Sequence, residues 1–151
     1  MGDPRPDPSR GAVCRTTTID APPSVVWRWI STSALVERWL SDSGLRVTSD
    51  WRAGSSIRCD GTWDGNAYED HGTIPRLEPE RGLEYTCWSG LSRLPDRLEL
   101  YAAITFALTP APGQTALTVT HGRLRSPAMV GHARFSWCPA LERLRAAIEA
   151  E

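Results

Sequence analysis

From Val130 to Ile148 apolar residues return every three or four positions: Val130, Ala133, Trp137, Leu141, Leu144 and Ile148. Arg134, Glu142, Arg143, Arg145 and Glu149 fill the positions between them. That period gathers one apolar stripe on one face of a long helix. Ser126-Pro127 opens it with a capping hydroxyl and a proline at the first helical position, where its missing N–H breaks no bond. Pro139 cannot donate to the carbonyl of Phe135 and crowds that turn, which predicts a kink near Trp137. A one-sided helix has to bury its stripe, and the chain before it reads mainly as strands.

Val13, Arg15, Thr17 and Ile19 alternate with Cys14, Thr16 and Thr18, a β-rich pattern that predicts a first strand. Asp20-Ala21-Pro22-Pro23 ends it and starts a short helix with Val26, Trp29 and Ile30 on one face. A second short helix follows over Ala34 to Leu40, with Leu35, Val36 and Trp39 inward. Beyond Leu45, turn signals at Asp50, Ala53-Gly54, Asp64-Gly65-Asn66, Pro79 to Gly82, Pro95-Asp96 and Pro110 to Gly113 cut the region into short strands. In one of them Leu100, Ala102, Ile104, Phe106 and Leu108 make a fully apolar face; in the next, His121 shares a face with Leu117 and Val119. The prediction is an α+β fold: a curved antiparallel sheet of about seven strands around a long C-terminal helix, with two short helices after the first strand.

Composition narrows the function classes. Seventeen basic residues, all arginine, against 18 acidic ones leave a net charge of −1, which gives no electrostatic case for nucleic acid. No apolar run is long enough for a membrane span, and the N-terminus lacks a charged-then-apolar leader pattern, so the cytoplasm is the expected location. Residues 1–11, with Pro4, Pro6 and Pro8 among charges, read as a disordered tail, and residues 12–151 as a single domain. Cys14, Cys59, Cys87 and Cys138 are far apart and form no metal-binding spacing, so they are expected to be reduced thiols. His71, His121 and His132 share no ligand spacing either, and no metal or cofactor is expected.

Thr18-Ile19-Asp20-Ala21-Pro22-Pro23 with Val26-Trp27, then Trp39, then Asp50-Trp51-Arg52-Ala53-Gly54 form an ordered series. It continues through His71-Gly72-Thr73-Ile74, Glu78-Pro79, Leu83, Tyr85-Thr86-Cys87-Trp88, the Leu117-to-His121 strand, and Trp137 ahead of Leu141 and Leu144. In this the chain resembles the helix-grip superfamily of START lipid-transfer domains, birch-pollen-allergen-like proteins and aromatic polyketide cyclases. Within it, the resemblance is to small bacterial homologues of the heat-shock-protein ATPase activator, over about residues 13 to 149. Ala53, where the family often has glycine, and the Ser136 and Pro139 surroundings of Trp137 depart from its pattern. The resemblance implies a cavity between sheet and helix, open near the two short helices.

Seven tryptophans and three tyrosines suit such a cavity, since amphipathic aromatics both wall a pocket and hydrogen-bond a ligand. Trp39, Tyr68, Tyr85, Trp88, Phe106, His121, Met129 and Trp137 are the residues expected to bind it. Core packing is the competing account of Trp27, Trp39 and Trp137, as a hydrogen-bonded core histidine is for His121. Glu69 and His71 alternate with Tyr68 and Asp70 and read as one side of a polar outer face. No nucleophile elbow, phosphate loop or metalloprotease motif is present. Three functions follow: a binding protein for an apolar, aromatic or lipid-like small molecule; a cyclase-type or aromatase-type enzyme in which His121 and Tyr85 move protons; or a module, with a chaperone partner or as a homodimer, that stimulates a chaperone ATPase.

Overall fold

The computed structural model describes residues 11–151. Strand β1 (Val13–Ile19) leads into helices α1 (Pro23–Ile30) and α2 (Ser33–Val36). Strands β2 (Leu45–Ser49), β3 (Ser56–Trp63), β4 (Asn66–Thr73), β5 (Arg76–Glu78), β6 (Gly82–Ser89), β7 (Ala102–Ala111) and β8 (Gln114–Gly122) follow, and α3 (Pro127–Glu149) closes the chain. All strands pair antiparallel in the order β1-β8-β7-β6-β4-β3-β2, with β5 on β6. The sheet thus has eight strands; the one beyond the expected seven is β5, too short for alternation to reveal. The predicted tail falls on residues 1–10, outside the described part, apart from Gly11, whose carbonyl accepts from Leu124 N–H.

Helix α3 buries Val130, Ala133, Trp137, Ala140, Leu141, Leu144 and Ile148 against the concave face of the sheet, which is the predicted stripe with Ala140 added. Ser126 Oγ caps it by accepting from Met129 N–H at 3.1 Å. The predicted kink does not interrupt the helix: Pro139 lies inside one continuous element. Pro139 and Phe135 are both exposed, so the carbonyl left without an intrahelical donor is on the wet side, where water can serve it. Helix α1 buries Val26, Trp29 and Ile30 as expected. Helix α2 is shorter than the expected Ala34 to Leu40; after Val36 the chain tightens into turns, with Trp39 N–H bonded to Val36 O.

Registry across the ladder fixes what points inward. Val13, His121, Ile104 and Tyr85 form one row across β1, β8, β7 and β6, and Arg15, Val119, Phe106 and Leu83 the next. On the other half of the sheet Cys59 faces Asp70, and Asp70 faces Ser89. Among the described residues the ladder between the halves is the β4–β6 pairs Asp70–Ser89 and His71–Trp88, with Gly90 N–H donating to Glu69 O beside them. There Gly72 lies so close to β6 that a Cβ on it would be 1.8 Å from the Thr86 carbonyl oxygen. This close approach lets the sheet turn around α3.

Candidate functional site

Between the concave sheet and the α1–α2 segment lies a void with room for the centre of one water molecule, about 10 Å³. Its roof is Ile30, Val36, Trp39 and Leu40; its floor is Val47 and Ile57 from the outer strands with Tyr85 and Phe106 from the centre. Phe106 is the hub: Trp39 and Trp137 meet its ring edge-on at centroid distances of 6.2 and 5.8 Å, and Tyr85 stacks at 6.3 Å. Trp39, Tyr85 and Phe106 are thus brought together at the void. Trp39 Nε1–H donates to Trp29 O at 3.0 Å, so its polar edge is satisfied while its ring faces apolar space.

Trp51, absent from the sequence-derived set, closes one end of the void. Its φ of 54° is in the left-handed region, uncommon for a bulky side chain, and its Nε1–H donates to Ser33 Oγ at 2.9 Å. The roof is otherwise fastened by Glu37 Oε2 accepting from Val47 N–H at 2.9 Å and by Arg143 Nε–H donating to Trp39 O at 2.9 Å. The Asp50-Trp51-Arg52 turn was visible in the sequence, but strand alternation says nothing about where a turn residue points.

His121 and Trp137 do not line the void. Trp137 is 6% exposed, and its Nε1–H donates to His121 Nδ1 at 3.0 Å. An indole N–H can only donate, so Nδ1 carries the lone pair and the proton of the neutral ring is on Nε2. Burial, helped by His132, pushes His121 down to about 4, which keeps it neutral at pH 7. Its one lone pair is already engaged, so it offers a donor to the interior rather than a base. His121 is partly buried and hydrogen-bonded at the edge of the core, and Trp137 packs within the core against Phe106. Tyr85, fully buried, has its hydroxyl held far above its ordinary range by desolvation and by its acidic neighbours, so it remains a neutral phenol.

The remaining expected residues are elsewhere. Tyr68 shares the concave face with Asp70 but lies at the far end of β4, its ring over Gly61. Met129 packs on the edge of the core at the start of α3. Trp88 is on the other face of β6 from Tyr85, stacked on His71 at 5.0 Å with its Nε1–H donated to Leu94 O. It belongs to an outer-face network in which His71 Nδ1 meets Glu69 Oε2 at 2.5 Å and His71 Nε2 meets Asp96 Oδ2 at 2.9 Å. Tyr101 OH donates to Asp96, and Arg58 Nη2 pairs with Glu69 at 3.0 Å.

That network ties the segment before β7 to the sheet, and it responds to pH. The hydrogen bond to Glu69 leads in raising His71, with Asp96 adding to it. Asp96 is lowered by Tyr101 first and by His71. A raised histidine stabilises fully below its unfolded value of 6.5 and loses that contribution as pH climbs through the folded one. A lowered aspartate acts in reverse, losing its contribution as pH falls below 3.8. This network alone gives no slope between those values, where lowered His121 instead makes stability fall as pH drops from 6.5 toward 4; above 6.5 thermal unfolding should decline by no more than a few degrees toward pH 8, since the groups are partly exposed. His71→Gln should flatten the upper limb; an unchanged slope would remove His71 as its cause.

The inward partner of this stretch is Asp70. Its Oδ1 is buried with no hydrogen-bond partner among the described residues. It borders a second void of about 10 Å³ shared with Ile57, Cys59, Tyr85 and Cys87. Desolvation raises its carboxyl, partly opposed by Ser89 across the ladder and by Gly90 N–H. Cys59, pushed up to about 12, and Cys87, pushed higher, are raised chiefly by burial and then by Asp70, so both are unreactive thiols. Alternation had placed Asp70 opposite His71, yet nothing in the sequence says which face is concave.

Among the described residues no group of His, Cys, Asp and Glu is arranged to hold a metal, and no helix is long and apolar enough to cross a membrane. No curated protein is similar enough to match. Solved structures do match. The solution structure of ChR145 from Cytophaga hutchinsonii has 30% identity and a TM-score of 0.77 over 92% of this chain and 94% of that one. CalU16 from Micromonospora echinospora, at 22% identity, has a TM-score of 0.70 over 91% and 75%. The Aha1 dimer from Colwellia psychrerythraea, at 18%, has a TM-score of 0.71 over 91% and 96%. The last two likenesses speak to the helix-grip fold alone. The sequence profile described as "Activator of Hsp90 ATPase homolog 1-like protein" matches residues 20–149, nearly the whole described chain, and the chain belongs to that family within the START-like helix-grip superfamily.

Proposed function

We propose that this protein binds a small apolar molecule with an aromatic or similarly flat body between the sheet and the α1–α2 roof. The observation that carries the reading is the void walled by Trp39, Trp51, Tyr85 and Phe106, whose polar tips on Trp39 and Trp51 are already satisfied by backbone and Ser33. Room for one water is too little for a ligand, so binding requires the roof to lift. Helix α2 is one turn long and its polar fastenings are single hydrogen bonds worth about 1 kcal/mol each, so the main cost of the motion is unpacking Val36 and Trp39. Trp51's left-handed backbone is the kind of strain that collects at binding sites. The reading requires no cofactor, and four unpaired thiols fit a cytoplasmic protein.

The cyclase-type alternative is weakened by the engaged lone pair of His121. A partner-binding reading has its own support in the family's description and in two exposed aromatics, Phe135 at 75% and Trp63 at 53%, the latter edge-on to His132 on α3. Native mass spectrometry of freshly purified protein separates the readings. A co-purifying small molecule released on denaturation is the expected result. Bare protein that also fails to bind any aromatic probe would leave the partner reading in its place.

A further inference from the structure

We propose that Asp70 is the polar anchor of the interior site and selects ligands that carry a neutral hydroxyl group at one end of the apolar body. The proposal rests on the small-molecule reading above and deepens it. Two voids share the walls Ile57, Cys59 and Tyr85. The first is bounded otherwise by apolar and aromatic side chains, and the second ends at Asp70. The two voids lie on either side of these shared walls, the first beneath α2 and Trp51 and the second at the β4–β6 junction, where His71 and Thr86 also border it.

The carboxyl is unusual in what it lacks. Asp70 Oδ1 is shielded from solvent and has no donor at hydrogen-bond distance among the described residues, even though Ser89 and the Gly90 N–H act on the carboxyl as a whole; buried polar atoms in folded proteins almost always have a partner. A structural role would be met by a partner, as every other buried side-chain oxygen and nitrogen among those residues is. Gly72 and Gly61 flank Asp70 on the same face of β3 and β4, so its side-chain neighbours there are Cys59 and Ser89 across the ladders and Tyr68 along β4.

The chemistry of the donor follows from the surroundings. Cys59, Cys87 and Tyr85 are neutral and make the pocket poorly polar, so an ammonium ion would have to shed its hydration to reach a single carboxylate. A hydroxyl costs less to bury. It both donates and accepts, so it pairs with Asp70 whether the carboxyl is ionised or, as burial favours, protonated.

The test uses two probes of nearly equal shape, 2-naphthol and 2-methylnaphthalene, titrated against the full chain by tryptophan fluorescence. Burying a hydroxyl without a partner is unfavourable, so an unanchored apolar site prefers the methyl compound. With Asp70 as anchor, 2-naphthol should bind about ten-fold more tightly or better. Asp70→Leu should reverse the order while leaving 2-methylnaphthalene binding intact, and Asp70→Asn, which keeps an acceptor, should retain part of the preference. If Asp70→Leu does not fold, the wild-type ratio and Asp70→Asn decide. Equal or tighter binding of 2-methylnaphthalene by the wild type overturns the anchor and leaves the small-molecule reading standing. Binding of neither probe overturns both.

Discussion

Trp137→Ala should lower stability by about 3–5 kcal/mol, because the indole is 6% exposed and fills the space between Phe106 and the helix. A second loss adds to the cavity. The substitution removes the donor to Nδ1 of the partly buried His121. Trp137→Phe is intermediate, since it keeps a six-membered ring but removes the N–H together with part of the indole volume; its cost should be about 2–3 kcal/mol. Chemical denaturation of the three proteins checks this. If Trp137→Ala were as stable as wild type but had lost 2-naphthol binding, Trp137 would be a cavity wall after all, and the water-sized void would be a closed state of a larger one.

The part of this fold legible in the sequence is the part governed by periodicity. The stripe from Val130 to Ile148 and the Val26, Trp29, Ile30 face of α1 came out as read, because helical period and burial are the same fact seen twice. Alternation likewise put His121 and Phe106 on the inward face. What it could not supply is distance along that face. His121 and Tyr85 lie in one register row, but Trp137 takes the histidine's lone pair, and only pairing between strands far apart in sequence decides that. Trp88 shows the complementary limit. It is an aromatic in an inward-looking sequence neighbourhood, but one residue of phase sends it to the outer face against His71. Asp70 was hidden for the same reason, since its value depends on where β4 leaves β6, a feature set by a glycine rather than by any polar pattern.

Gly72→Ala should be among the most damaging single methyl groups that could be added to this chain. The new Cβ would stand 1.8 Å from the Thr86 carbonyl oxygen and 2.5 Å from its carbon, and both atoms are backbone, so no rotamer change relieves the contact. The strands have to part by more than an ångström. That separation breaks the Asp70–Ser89 and His71–Trp88 pairs, the ladder that joins the two halves of the sheet among the described residues, and draws His71 away from Asp96 and Tyr101. A loss of about 4 kcal/mol or more is expected, the range reserved for backbone clashes and broken networks. Gly61→Ala is the control. Its Cβ would meet the Tyr68 ring and hydroxyl at 2.7 to 3.0 Å, but that ring is half-buried and can swing toward solvent, so the cost should be about 1 kcal/mol. Thermal unfolding of both variants, with the β4 and β6 amides followed by hydrogen exchange, distinguishes a local from a global effect. Faster exchange in those strands alone would show the halves hinging about an intact α3 core, whereas a Gly72→Ala protein as stable as Gly61→Ala would mean that the sheet turns somewhere other than at this junction.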